Sequence, residues 1–312
     1  MIAASLASDL ADPVLQRIVL GLGLIGALAG LLGTFAVVRR QSLVGDAVSH
    51  AALPGVAIVV LLGGRSPLWV VVGGGLAGWI AIRLVTSISS KSRVPYDSAL
   101  AGVLAVFFGF GLALMTYAQK LAGREPHGAF EAWLKPHAAA GQQLGLDRAL
   151  FGQSAFLTDG NVLLFAIAFL AVSAIVVAFW RAFHVLSFDP AFAASLGWPT
   201  TWLERLLSTL IVASVVLGMN AIGVVLMSAL LIAPATAARF WCRGLKSMAA
   251  MSCTIGAVSG AIGAVVSHTL SSEGRSVPTG PSVVLIASAF ALLSMLLAAA
   301  VQYRHSRPSV TP

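Results

Sequence analysis

The chain has 312 residues, of which 58% are hydrophobic and only 10% are charged, and its formal net charge is +8. Soluble domains carry roughly 25% charged residues, so a water-soluble fold cannot bury this much apolar surface. We therefore expect an all-α polytopic membrane protein. Its excess of Lys and Arg is then attributed to loops on one side of the membrane and not to binding of nucleic acid.

The apolar segments divide the chain into about nine transmembrane helices, each near the 20 or so residues that a crossing needs. They lie at 13–38, 42–63, 67–87, 97–118, 158–180, 203–219, 221–240, 247–269 and 280–301. The boundary between 203–219 and 221–240 is the weakest, because both segments are short. One broken helix with a re-entrant piece is the alternative there. We treat residues 1–312 as a single transmembrane domain.

The basic residues indicate which loops face the cytoplasm. If the loop with Arg39 and Arg40 is cytoplasmic, alternation places the basic residues of the later odd-numbered turns on the same side: Lys91, Arg93, Arg181, Arg239, Arg243, Lys246, Arg304 and Arg307. The short loops then follow the positive-inside rule. This predicts an N-terminus outside the cell and a C-terminus in the cytoplasm.

The second segment carries polar side chains that share one face of a helix. They are Ser42, Asp46, Ser49 and His50. Offsets of 0, 4, 7 and 8 residues fall on one helical face. Between them lie Leu43, Val44, Ala47 and Val48. Ionisable groups in a membrane are costly and usually mark an ion or substrate path, so we expect the stripe to face the bundle interior.

Pro54 follows the histidine by four residues, and it has no N–H to donate to the carbonyl of His50. The stretch thus offers a carboxylate, an imidazole and a loosened backbone oxygen, which suits Mn²⁺, Fe²⁺ or Zn²⁺. Two interpretations remain beside metal contact: a buried Asp46–His50 hydrogen bond that only fixes helix packing, and a proton relay. Two ligands would bind weakly, as conduction requires.

Two loops are too long to be simple turns. The outer loop, 119–157, contains "GAFEAWLKPHAAAGQQL", which predicts a short helix on the membrane surface. The cytoplasmic loop, 181–202, contains "SFDPAFAASLG". Here Asp189 is the expected N-cap, Pro190 the first helical residue and Gly197 the stop. The alternative for this short helix is an interfacial amphipathic helix that serves only as a linker.

Two later stretches are irregular enough to be moving parts. "LGMNAIG" contains Asn220, and "LLIAPATA" contains Pro234, which frees the carbonyl of Leu230. Pro54 belongs with them as a candidate for kinking or gating. The sequence has no P-loop pattern, so ATP binding by that route is not expected of this chain.

Four of these segments together resemble a known family. "QSLVGDAVSHAALPGVAI", "SFDPAFAASLG", "GVVLMSALLIAPATAARF" and "VPTGPSVVLIASAFALLSML" are similar, in this order, to signature segments of the permeases of manganese, zinc and iron ABC importers. This is the metal-uptake ABC-3 family, and the resemblance runs from about Leu15 to Val301.

The resemblance implies a type II importer permease that works as a dimer, with a second copy or a paralogue, in the bacterial inner membrane. It implies a separate ATPase and an extracytoplasmic metal-binding protein as partners, and no permanently bound cofactor. Asp46 and His50 become the candidate metal contacts. Phe188, Asp189, Pro190 and Gly197 become candidate residues of the coupling helix that docks on the ATPase.

The cargo is the least determined point. The stretch "LDRALFGQSAFLTDGN" in the outer loop is closer to the manganese and iron branch, so manganese or iron is expected, with zinc as the alternative. An ATP-independent secondary transporter is a rival that predicts more intramembrane carboxylates and repeated halves. An intramembrane serine hydrolase is a second rival, but Ser49 and His50 are adjacent and point roughly 100° apart on a helix.

Overall fold

The computed structural model describes residues 12–64, 67–123, 129–141, 158–271 and 277–305, and within these ranges it contains helices and no strand. In chain order the helices are α1 (Pro13–Val38), α2 (Val44–Ala51), α3 (Leu53–Leu61), α4 (Pro67–Lys91), α5 (Tyr96–Ala122), α6 (Ala129–Gly141), α7 (Asp159–Ala178), α8 (Trp180–Phe188), α9 (Pro190–Ser195), α10 (Thr200–Ile222), α11 (Val224–Arg239), α12 (Leu245–Leu270) and α13 (Thr279–His305).

Among the described residues, eight of the predicted crossings are long and apolar enough to span a membrane, which confirms the all-helical membrane fold. The second crossing, Val44–Leu61, is built from the two short helices α2 and α3. The ninth predicted crossing, 221–240, is shorter than expected, since α11 runs only from Val224 to Arg239.

The weakest predicted boundary falls a few residues later than the sequence indicated. Helix α10 continues to Ile222, and the interruption lies at Gly223, whose φ is 106°. A residue with a Cβ rarely adopts that angle, whereas glycine does so at little cost. The chain therefore interrupts its helix at Gly223 and not near Gly218.

The helices group into two compact units. The first unit contains α1, α7, α12, α13 and the part of α11 from Ala229. The second contains α2 to α6, α8 from Arg181, α9, α10 and the start of α11 up to Ser228. The single transmembrane domain over residues 1–312 stays a prediction.

The first unit is held together by close packing of α12 along α1. A Cβ on Gly26 would overlap the carbonyl oxygen of Gly256, and a Cβ on Gly30 would overlap that of Ser252. The Ser252 hydroxyl donates a hydrogen bond of 2.6 Å to the carbonyl of Gly30. Lipid supplies no hydrophobic force between helices, so small residues that let backbones approach are what stabilises such a pair.

The second unit surrounds the short helices α2 and α3. Helix α2 packs against α4, α5 and α10, and α3 packs against α4, α5 and α6. A Cβ on Gly55 of α3 would overlap the carbonyl oxygen of Gly73 in α4. The pair of short helices is therefore positioned by backbone contact on one side and by side-chain packing on the others.

The short helix predicted in the outer loop is present as α6, and the side chains of its last residues, from His137, lie outside what the structure describes. Its place on the membrane surface stays a prediction. The stretch "LDRALFGQSAFLTDGN" falls largely on residues 142–157, outside the described residues.

Gly26→Ala tests the close packing of the first unit. The added methyl group has no space against Gly256, so we expect a loss of roughly 1–3 kcal/mol of stability, as for other overpacked sites. Thermal unfolding of the purified protein in detergent measures it. The matched control is Gly23→Ala in the same helix, where the nearest atom to the new Cβ is 3.6 Å away. Equal effects of the two substitutions would contradict the packing argument.

Candidate functional site

The carboxylate of Asp46 and the imidazole of His50 meet on α2, one helical turn apart. The distance between His50 Nε2 and Asp46 Oδ1 is 3.4 Å. The other ring nitrogen, Nδ1, is buried and has no hydrogen-bond partner among the described residues. The ring also contacts Phe108 of α5 edge to face, with 4.9 Å between centroids. The imidazole is therefore held in place by packing, and Nε2 is the ring nitrogen that lies beside the Asp46 carboxylate.

Burial differs between the members of the predicted stripe. The Ser49 side chain is fully buried, that of His50 is 17% exposed and that of Asp46 is 41% exposed. Their apolar neighbours Val44 and Val48 are buried as well, because α2 packs against the surrounding helices. The stripe is therefore not buried as a whole, because the Asp46 side chain remains partly exposed while that of Ser49 is fully buried.

A third polar group at this site was not singled out from the sequence. The side chain of Ser228, at the start of α11, lies close enough to the Asp46 carboxylate to interact with it. Ser228 lies within the segment "GVVLMSALLIAPATAARF". Because it is far from Asp46 along the chain, the sequence alone does not indicate that the two side chains are close. Only the tertiary structure brings the two residues together.

The helix that carries the pair ends immediately after it. Helix α2 stops at Ala51 and α3 begins at Leu53, with Pro54 in its first turn. Because Pro54 has no N–H, the carbonyl of His50 receives no bond from it. Gly111 of α5 packs directly on this break, since a Cβ there would lie 2.9 Å from both Leu53 Cβ and Pro54 Cδ.

The pair can act as two ligands of one metal ion. Ligand atoms that share an ion, with bonds of about 2.1 Å and angles between 90° and 109°, lie roughly 3.0–3.4 Å apart. The observed 3.4 Å fits that range. The described residues contain no group of three or more His, Cys, Asp or Glu side chains that could hold a metal. An oxygen and a nitrogen donor alone give weak binding, from which an ion can leave.

The same geometry does not suit the serine hydrolase considered above. The Ser49 hydroxyl donates a hydrogen bond of 2.9 Å to the backbone carbonyl of Asp46 in its own helix. A nucleophilic serine needs its hydroxyl directed to a general base such as histidine. Ser49 is thus a packing residue of α2 and not half of a catalytic pair with His50.

The loop between α8 and α10 has the local structure that the sequence predicts. The Asp189 carboxylate accepts a hydrogen bond of 2.9 Å from the N–H of Phe192, and Pro190 opens α9, so the predicted N-cap is confirmed. Helix α9 ends at Ser195, and Gly197 has a φ of 75°. Phe188 and Phe192 are 63% and 52% exposed. Phe192 of the short capped helix and Phe188 at the end of α8 therefore both have exposed aromatic rings.

The other two kink candidates behave differently from Pro54. Pro234 is buried within α11, and the helix continues through it to Arg239. The backbone of Asn220 lies in the last turn of α10, and its side chain is outside what the structure describes. Roles in gating stay predictions for Pro54, Asn220 and Pro234.

Comparisons with known proteins agree with this architecture. The model of the ABC 3 transport family matches residues 11–298. The zinc transport system membrane protein TroC of Treponema pallidum is 39% identical over 92% of this chain and 89% of its own length. The manganese transport system membrane protein MntC of Bacillus subtilis is 38% identical over 94% of this chain, which spans 63% of that relative.

A solved structure also matches. PsaBC from Streptococcus pneumoniae in complex with Fab superposes with a TM-score of 0.77 at 28% identity, covering 95% of both chains. The match extends over almost all of the chain, so the similarity includes both compact units.

Proposed function

The chain belongs to the ABC 3 transport family and is the membrane subunit of an ABC transporter, and we propose that it imports divalent transition-metal ions, with manganese as the main cargo. The observation that carries this proposal is the Asp46–His50 pair, two metal-type ligands 3.4 Å apart on a broken membrane helix. Polar pairs of this kind inside a membrane usually mark an ion path.

The transport cycle needs partners that supply cargo and energy. A metal-binding protein outside the cell delivers the ion to the permease dimer. A separate ATPase docks on α9 in the cytoplasm and hydrolyses ATP, since this sequence contains no P-loop pattern. This arrangement requires the N-terminus outside and the C-terminus inside, which is the orientation that the basic residues favour. The permease itself supplies a path and two gates.

Manganese is favoured by the donor atoms of the site. Carboxylate and hydroxyl oxygens suit harder ions such as Mn²⁺, whereas thiolates select softer ones. Asp46 and Ser228 supply oxygen, and the two cysteines, Cys242 and Cys253, belong to the other compact unit. Zinc is the second candidate, because imidazole also suits it and because the relative at 39% identity is a zinc transport protein.

Asp46→Asn and His50→Ala test the pathway. In cells whose only metal importer is this permease with its ATPase and binding protein, each variant should lower the initial rate of ⁵⁴Mn uptake by roughly tenfold or more. That loss corresponds to about 1.4 kcal/mol, the scale of one charge-assisted contact. Asp97→Asn and His268→Ala are the matched controls, because both side chains are exposed and lie on other helices. Uptake by the site variants at the parent's rate would refute the assignment.

The identity of the cargo is tested by competition. Unlabelled Mn²⁺ should suppress ⁵⁴Mn uptake at lower concentration than Zn²⁺ does, because the oxygen donors favour the harder ion. Preferential accumulation of ⁶⁵Zn would make zinc the cargo instead. The same cells with an ATPase inactivated at its own nucleotide site should accumulate neither ion, and uptake that persists there would favour an ATP-independent transporter.

Asp189→Ala tests the coupling helix. Loss of the N-cap should cost α9 about 1 kcal/mol and lower both metal uptake and substrate-stimulated ATP hydrolysis. Asp189→Asn keeps a capping oxygen and should restore both activities. Ser195→Ala is the control at the exposed other end of α9, where the hydroxyl donates a hydrogen bond to the carbonyl of Phe192. If Asn fails to rescue, the carboxylate charge and not the cap is what matters.

A further inference from the structure

A cleft of about 330 Å³ lies within the second unit, between α4 and α10. It opens where α4 ends, at Lys91, and where α10 begins, at Thr200. Both helices contain membrane-length apolar segments, Trp69–Lys91 and Thr200–Met219. The cleft therefore reaches from within the apolar span to the level where one leaflet meets water.

The wall of the cleft is positively charged and rich in hydroxyl groups. Arg83, Lys91 and Arg205 line it together with one carboxylate, Glu204, so three positive charges face one negative charge. Five hydroxyl side chains complete the wall: Thr86, Ser87, Ser90, Thr201 and Ser208. Guanidinium and ammonium groups with nearby hydroxyls are the donor set that recognises a phosphate.

One of the positive groups, Arg83, packs on an aromatic ring that is hydrogen-bonded to the opposite helix. The Arg83 guanidinium lies over the ring of Trp79, 5.3 Å from its centroid. The indole N–H of Trp79 donates a hydrogen bond of 3.2 Å to the hydroxyl of Thr209. That hydroxyl in turn donates to the carbonyl of Arg205 at 2.7 Å. This chain of contacts joins α4 to α10 beside the Arg83 guanidinium.

An apolar surface continues from the cleft along α4. Leu76 and Val72 precede Arg83 by seven and eleven residues, spacings that place all three on one helical face. Leu76 is 58% exposed and Val72 is 47% exposed. The cleft itself is near the lower end of the roughly 300–1,000 Å³ typical of small-molecule sites, so it accommodates a headgroup and leaves acyl chains to lie on this surface.

We propose that this cleft is a binding site for an anionic phospholipid. Its phosphate contacts Arg83, Arg205 and Lys91, and its acyl chains follow the exposed face of α4. The excess of positive charge favours an anionic headgroup over a zwitterionic one, and basic pockets between membrane helices are known to bind such headgroups. The apolar surface favours a lipid over a free phosphate. The site does not depend on which metal the protein transports.

Native mass spectrometry of the full-length protein, delipidated in detergent and supplied with single lipids, tests the proposal. Phosphatidylglycerol should remain bound at lipid concentrations where phosphatidylcholine does not. Arg83→Gln combined with Arg205→Gln should weaken its binding roughly tenfold or more, from the contribution of each basic side chain to binding anionic lipid. Glycerol 3-phosphate, which has the phosphate without acyl chains, should not bind at the same concentrations.

The matched control removes two charges elsewhere, Arg243→Gln with Lys246→Gln, both of which are exposed and belong to the other unit. It should bind phosphatidylglycerol as the parent does, and equal loss in both double variants would overturn the site. Equal binding of the two lipids, or glycerol phosphate binding as tightly as the lipid, would overturn it too. Lipid bound to monomers and absent from dimers would also overturn the site, because a second copy of the chain would then occupy the cleft. Unchanged thermal unfolding of the Arg83 and Arg205 variant separates lost binding from lost folding.

Discussion

The constraint on which the site depends is Pro54 in the second crossing, where the helical hydrogen bond to the carbonyl of His50 has no donor. An unbroken helix would carry Asp46 and His50 through the membrane with every backbone oxygen bonded to an N–H. Pro54 has no N–H and so cannot donate one of these bonds. Gly111 has no side chain, so the backbone of α5 packs directly against Leu53 and the ring of Pro54. The polar pair thus lies at the end of a short helix whose position is fixed by contact and not by its own length.

Close backbone contact is also what stabilises the rest of the protein. A leucine side chain is solvated about as well by lipid as by another helix. Helix association in a membrane must therefore come from close packing and from hydrogen bonds between helices. The Gly26–Gly256 contact and the Ser252 hydroxyl bond to Gly30 serve α1 and α12 in this way. Gly55 against Gly73 does the same for α3 and α4. The glycines lie at contacts that a larger side chain would separate.

Features set by neighbouring residues could be predicted from the sequence, and features set by distant ones could not. Hydropathy and length located the membrane crossings, and Asp189 and Pro190 located the start of α9, because each depends on one stretch of chain. The contacts of Ser228 with Asp46, of Gly111 with Pro54 and of Trp79 with Thr209 join residues far apart in sequence. Amphipathic spacing also overstated how far Asp46 is buried, since it records which residues share a face and not what covers that face.

The Asp46 carboxylate lies near two places where regular helical structure is interrupted. Asp46 precedes the break at Ala52, and its partner Ser228 follows the break at Gly223 by five residues. A helix interior transmits displacement stiffly, whereas a residue without the usual hydrogen bond, or with a positive φ, changes its dihedral angles at low cost. Helix α11 belongs to both compact units, its start to the second and the remainder to the first. Asp46 and Ser228, which both belong to the second unit, therefore each lie within six residues of an interruption in their own stretch of helix.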